Sequence, residues 1–168
     1  MKERAIHNIC LQVIAISVLF MLSCCTVPKS VADNATMDIV QYSIKPPEGV
    51  SPGHEFAVAV SFSVQPNWYI YAPTGNNAAL GMVEANVVFV PQKGMAKKGA
   101  LKVPDAQFKN GHEVYTGNSI KMQQDFKADA NAQPDIYNIE VKITWQTCND
   151  HICLPPVTET KTINIKVE

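Results

Sequence analysis

EFAVAVSFSV, residues 55–64, decides the fold. Phe56, Val58, Val60, Phe62 and Val64 fall on one side of an extended chain, with small or polar residues on the other. Side chains alternate across a strand with a period of two, so this stretch predicts a strand with one face buried and one face wet. YNIEVKITWQT (137–147) repeats the pattern, with Tyr137, Ile139, Val141, Ile143 and Trp145 against Asn138, Glu140, Lys142, Thr144 and Gln146. Ile163, Ile165 and Val167 predict a last strand of the same kind. Shorter candidates are MDIVQYSIK (37–45), NWYIYAP (67–73), EANVVFVP (84–91) and the mostly polar stretch from Glu113 to Lys127, separated by Pro, Gly or Asn. No stretch beyond residue 36 has a sustained helical period. Some seven or eight short strands with turn signals between them predict an all-β domain, a two-sheet β-sandwich of immunoglobulin-like type rather than a barrel.

The chain has 168 residues, a formal net charge of -1 and a pI near 6.4, so it presents no basic stripe for nucleic acid. Lys2, Glu3 and Arg4 precede the apolar run LQVIAISVLFML (11–22), which is too short for a convincing membrane span and reads as an export signal over residues 1–23. The run ends in MLSCC, where Ser23 precedes Cys24. This resembles the lipobox of bacterial lipoproteins and marks Cys24 as the lipidated residue, leaving the lipid anchor as the only membrane attachment. Residues 24–36 are small and polar and read as a tether; residues 37–168 form one domain with a single core. The expected address is the periplasmic side of a bacterial membrane. Cys10 leaves with the signal, and Cys24 and Cys25 sit at the anchor. Only Cys148 and Cys153 belong to the folded part, and in an oxidising compartment they are capable of forming a disulfide.

The pair lies in WQTCNDHICLPP (145–156). A disulfide there closes a ring of six residues and stabilises by about 2 kcal/mol, against about 4.7 for a ring of 100, so it is poorly placed as a staple. If the alternation that buries Ile143 and Trp145 continues, Cys148 faces outward with Thr144 and Gln146, and its thiol is reachable. Asn149, Asp150, His151 and Ile152 suit a tight loop that brings the sulfurs together. Pro155 and Pro156 lack N–H groups, which predicts an open edge after Cys153. The residues alone leave three readings open: an exchangeable disulfide, a structural hairpin clip on a non-catalytic binding lipoprotein, and a copper or zinc site using Cys148, His151 and Cys153. His54 and His112 are isolated and read as solvated loop residues. No cofactor motif, Ser-His-Asp set, HExxH or phosphate loop appears, so hydrolase and nucleotide functions have no residue support.

WQTCNDHICLPPVTETKTI (145–163) resembles the signature of the N-terminal periplasmic domain of DsbD, the thiol:disulfide interchange protein. In that signature an aromatic residue and Gln precede the first cysteine and Pro-Pro follows the second. NWYIY (67–71) resembles an aromatic segment of the family, and QFKNGHEVY (107–115) resembles its cap segment. The resemblance implies a sandwich whose Cys148 and Cys153 form the redox pair, with Cys153 making the mixed disulfide. Phe108 would be the cap that shields the sulfurs, and Tyr69 and Tyr71 would line the site. It implies a protein-disulfide oxidoreductase component that takes electrons from a thioredoxin-like donor and passes them to periplasmic disulfide isomerases or cytochrome-maturation proteins. Where the family can place two acidic residues before the cap, this chain has Ala106 and Gln107.

Overall fold

The computed structural model describes residues 39–168; the expected signal, the Cys24 lipidation site and the tether lie outside them. Among the described residues the strands are β1 (Val40–Lys45), β2 (Glu55–Val64), β3 (Tyr69–Tyr71), β4 (Asn86–Pro91), β5 (Met95–Lys102), β6 (Gln107–Lys109), β7 (His112–Tyr115), β8 (Ile120–Ala128), β9 (Asp135–Trp145), β10 (Thr147–Cys148) and β11 (Val157–Val167), with one 3-10 turn at Ala78–Leu80. The chain is all-β, as its alternation requires.

Two sheets make the sandwich: β1-β2-β8-β5 and β11-β9-β4, each antiparallel throughout. Val58, Val60, Phe62 and Val64 of β2 are buried, as are Ile139, Val141, Ile143 and Trp145 of β9, so the two faces predicted from sequence are the faces that meet. Burying each such aliphatic or aromatic side chain contributes about 1.5–3 kcal/mol. Trp145 sits between the sheets, edge-on to Tyr42 at 5.7 Å and to Phe62 at 6.2 Å. Further along the core, Phe126 stacks on Phe56 at 5.3 Å and meets Phe89 edge-on at 5.6 Å.

The structure adds two features to the two-sheet expectation. β5 was not legible because its burial does not alternate: after Met95 it is almost wholly exposed, and its register on β8 shifts between Lys98 and Lys102. It is the edge of its sheet, and its lysines blunt that edge against pairing with other chains. The other feature is a third, small sheet of order β10-β3-β7-β6, built of strands of two to four residues. Ile70, Ala72 and Tyr115 turn one of its faces to the main core, while Tyr69, Tyr71, Val114 and Cys148 gather on the other.

Candidate functional site

The site grows out of the place where β9 gives way to β10. β9 pairs with β11 as far as Trp145, opposite Val157, and two residues later Thr147 and Cys148 pair with Ile70 and Tyr69 of the small sheet. The chain changes sheets at Gln146, whose Oε1 accepts the Val83 N–H at 3.0 Å and whose Nε2 donates to the Leu154 carbonyl at 3.3 Å. Strand parity carries through that change: Trp145 faces the main core, and so does Thr147, which lies opposite Ile70. Cys148 therefore lies on the face turned away from the main core, as the alternation predicts, but beside Tyr69 it is 0% exposed, which corrects the expectation that its thiol is reachable. Cys153 is the exposed member of the pair.

Cys148 and Cys153 are joined in a disulfide with their Cα atoms 4.1 Å apart. The Asn149 N–H donates to the Ile152 carbonyl and the Leu154 N–H to the Thr147 carbonyl, both at 2.9 Å. These bonds flank the cysteines and make them a non-hydrogen-bonded antiparallel pair, the position at which opposed residues come closest. Between them Asn149 Oδ1 accepts the N–H groups of His151 (2.8 Å) and Ile152 (2.9 Å), a side chain standing in for a turn carbonyl. The open edge expected after Cys153 is therefore partly closed: Cys153 and Leu154 fold back onto β10, and only at Pro155 and Pro156 does pairing stop.

Tyr69, Tyr71, Val114 and Cys148 form a buried cluster of their own, with Met82 packed against it. The two tyrosine rings meet edge-on at 5.8 Å. The Tyr71 hydroxyl donates to Cys153 Sγ at 3.6 Å, and that of Tyr69 to the Asn149 carbonyl at 3.2 Å. Burial, and then the neighbouring Tyr69, push the Tyr71 phenol above its ordinary pKa, so it stays protonated and able to donate.

β6 and β7 are joined by Asn110 and Gly111, both at positive φ (52° and 84°), the two-residue turn that suits the twist of a hairpin. The register sets Gln107 opposite Val114, Phe108 opposite Glu113 and Lys109 opposite His112. Opposed residues share a face, so Lys109 and His112 lie on the cysteine side and Phe108 on the other. Phe108 is 78% exposed and does not cover the disulfide. Of the residues expected at the site, the structure thus brings together Cys148, Cys153, Tyr69 and Tyr71 and leaves Phe108 at the rim.

Lys109 occupies the place over the tyrosines. Its Nζ lies 2.8 Å from Asp150 Oδ1 and 5.0 Å from the centre of the Tyr69 ring, and Asn110 Nδ2 donates to the same carboxylate oxygen at 3.1 Å. Lys109 first, then Asn110 and His151, hold the Asp150 carboxyl below the usual range. His112 is not a solvated loop residue: it is on β7, edge-on to Tyr71 at 5.2 Å, with Nδ1 3.2 Å from Asn77 Oδ1. Asn77 is 1% exposed and spends its amide hydrogens on the carbonyls of Ala72 (2.9 Å) and Glu113 (2.7 Å). Its oxygen must accept, which assigns a proton to His112 Nδ1. His54 is exposed beside the Pro52 carbonyl.

Sequence reasoning missed Lys109, Asn110, His112 and Asn77. The Asn-Gly pair in KNGH (109–112) is a hairpin signal that would have set Phe108 and Lys109 on opposite faces; nothing in the sequence marks Asn77. In the disulfide neither sulfur is a thiolate ligand, and among the described residues no cluster of three or more His, Cys, Asp or Glu could hold a metal ion.

A β-sandwich that ends in one disulfide, with one sulfur walled in by tyrosines and the other at the surface, defines an all-β module that carries a single cysteine couple of unequal exposure. The chain belongs to the family of the N-terminal domain of the thiol:disulfide interchange protein DsbD, whose sequence model matches residues 41–165. Among solved structures it is similar to the reduced DsbD N-terminal domain of Neisseria meningitidis (16% identity, 82% of this chain and 95% of that chain, TM-score 0.44). It is similar also to the complex of the DsbD and PilB N-terminal domains from the same organism (17%, 64% and 73%, TM-score 0.39). A third is the N-terminal periplasmic domain of ScsB from Proteus mirabilis (14%, 84% and 49%, TM-score 0.41). No curated protein matches the chain.

Proposed function

We propose that the chain is a periplasmic relay for thiol–disulfide exchange, in which Cys148 and Cys153 accept two electrons from a thioredoxin-like donor and pass them to redox partners of the cell envelope. One observation carries this reading: the two sulfurs are unequal, Cys148 fully buried and Cys153 exposed.

A donor thiolate attacks Cys153 Sγ, the Cys148–Cys153 bond breaks, and its electron pair passes to Cys148 Sγ, which takes up a proton. The donor's second thiolate then attacks the donor sulfur of the mixed disulfide, the donor departs oxidised, and Cys153 is released as thiolate. A thiolate is poorly solvated among Tyr69, Tyr71 and Val114, so the reduced Cys148 is a neutral thiol. Cys153 is better served, because Tyr71 can donate a hydrogen bond to its sulfur both as it leaves and as it attacks. Delivery to an acceptor is the same sequence reversed. Phe108 enters this reading as an exposed ring at the rim that a docking partner would meet, and it would shield the sulfurs only if its hairpin turned over.

The test uses a thioredoxin lacking its resolving cysteine, with its remaining cysteine activated as a mixed disulfide with thionitrobenzoate, so that attack by a free thiolate forms the protein–protein disulfide and expels thionitrobenzoate. Cys148→Ser, which leaves Cys153, should accumulate a mixed disulfide, and Cys153→Ser should not; equal trapping by both variants would refute the assignment. A reduction potential below about -300 mV would instead mark a bond too stable to exchange, a structural clip.

The proposal extends to the N-terminus: a signal over residues 1–23, a lipid on Cys24 and a tether over 24–36 would hold the domain 37–168 at the periplasmic face of a membrane. No helix among the described residues is long and apolar enough to cross one. A wild-type protein that takes up no fatty-acid analogue would remove the anchor from this picture, and label that persists in Cys24→Ala would move it off Cys24.

A further inference from the structure

Six methionines occur in the chain, and three of them, Met82, Met95 and Met122, lie among the described residues. Met95 and Met122 are buried in the main core, at 6% and 0% exposure. Met82 is part-exposed and packs against the cluster of Tyr69, Tyr71, Val114 and Cys148. Among the described residues it is the methionine that solvent and the cysteine site both reach. The backbone around it is fixed on either side. The Met82 N–H donates to the Asn77 carbonyl at 3.1 Å, the Val83 N–H to Gln146 Oε1 at 3.0 Å and the Ala85 N–H to the Tyr71 carbonyl at 2.8 Å. A chemical change at Met82 is therefore answered by its side chain and by the wall it leans on, and not by a shift of the chain that carries it.

We infer that Met82 is an oxidation switch: conversion of its thioether to the sulfoxide opens the wall around Cys148 and speeds reduction of the disulfide. The inference rests on the exchange reading above for its use. The oxidant is a peroxide. The thioether sulfur attacks one peroxide oxygen, the O–O bond breaks and water leaves, so the sulfur gives up two electrons and gains the oxygen. While the cysteines are joined they hold no thiolate to compete for the oxidant, and the oxidised couple is the state in which Met82 reacts. A flexible apolar side chain has then become a dipolar one. The two tyrosine hydroxyls of the wall already donate, to the Asn149 carbonyl and to Cys153 Sγ. A polar group left buried without a partner is unfavourable, so the sulfoxide turns out to solvent and vacates its place against the cluster. Water then reaches Cys148. When a thiolate attacks Cys153 the electron pair passes to Cys148, and a better-solvated sulfur is the better leaving group. Enzymatic reduction of the sulfoxide restores the thioether and closes the wall again. The couple thus accepts electrons faster when oxidant is plentiful.

In the experiment the full-length protein, its disulfide closed, is treated with limiting hydrogen peroxide, the peroxide is removed, and the sites of oxygen addition are mapped by mass spectrometry. Met82 should be oxidised about tenfold faster than Met95 and Met122, since exposure governs the reaction. 2-Mercaptoethanol should then reduce the Cys148–Cys153 bond about threefold faster than in untreated protein. One thiolate attacks Cys153 with the electron pair and a proton going to Cys148, and a second releases Cys153 and leaves as the oxidised dimer. Peroxide should not alter the rate of Met82→Leu, and Met82→Gln, polar and of similar length, should be fast without peroxide. In a Cys153→Ser protein, iodoacetamide should alkylate Cys148 faster when Met82→Gln is added. Equal oxidation of the three methionines, an unchanged reduction rate after oxidation at Met82, or equal alkylation of Cys148 would each overturn the switch. Because these reagents read the wall without a protein partner, a failure of the exchange reading would show separately, as inertness toward thioredoxin.

Discussion

The sandwich and the small sheet at its end are built from the same kind of strand and held together by different means. In the sandwich, β2 and β9 run ten and eleven residues and bury every second side chain from Val58 to Val64 and from Ile139 to Trp145. In the small sheet no strand exceeds four residues, and its outer face is fixed by a disulfide, two tyrosine hydroxyls and an ion pair. The former is stabilised by apolar area, which no single visitor can undo. The latter rests on polar and covalent links that can be broken one at a time and remade, which is what an exchange site requires. The contrast teaches that rigidity and reactivity are divided between parts of one domain, and Gln146 marks the border.

The largest break in this contrast comes from its rigid side. Trp145→Ala should cost about 3–5 kcal/mol in denaturant unfolding, because the residue is fully buried between Tyr42 and Phe62 and the space cannot collapse. Removing both cysteines as Cys148→Ala with Cys153→Ala should cost about 2 kcal/mol, the chain entropy of a six-residue ring, with the fold retained. A loss as large as that of Trp145→Ala would make the disulfide a core element and dissolve the division.

Tyr115 tests the seam between the parts. Its side chain turns to the main core from β7, its hydroxyl donates to the Pro104 carbonyl at 2.9 Å, and burial pushes its pKa up to about 12. A folded pKa above the unfolded value of about 10 means the contribution is complete below pH 10 and disappears as the pH rises through 12. Tyr115→Phe should therefore flatten the fall in stability across that window and cost about 1 kcal/mol at neutral pH. The smallest effect is expected at Phe108. Phe108→Ala should change stability by less than about 0.5 kcal/mol, as for an exposed side chain, and leave the rate of reduction by 2-mercaptoethanol as it was. A marked acceleration would give the shielding role back to the ring.

Much of the sandwich was legible because β2 along its length and β9 from Tyr137 onward keep strict alternation, and that signal survives wherever one sheet face is buried. β5 was not, since an exposed edge strand with a register shift has no buried face to declare. At the site, the cysteines and both tyrosines were found through their family motif. The burial of Cys148 was not, because parity sets its face but does not show that Tyr69 and Tyr71, far along the chain, cover that face. Lys109 and His112 escaped for a related reason: each gains its meaning from a partner far along the chain, Asp150 and Asn77, which only the fold brings near.

A carrier with a single accessible sulfur has one berth. In the proposed relay donor and acceptor would not occupy Cys153 together, so each turnover would finish with one visitor before the next arrives, and steady-state rates at several fixed acceptor levels should give parallel double-reciprocal lines. Crowding the envelope with either species would then delay the other, with no second binding surface needed to explain it.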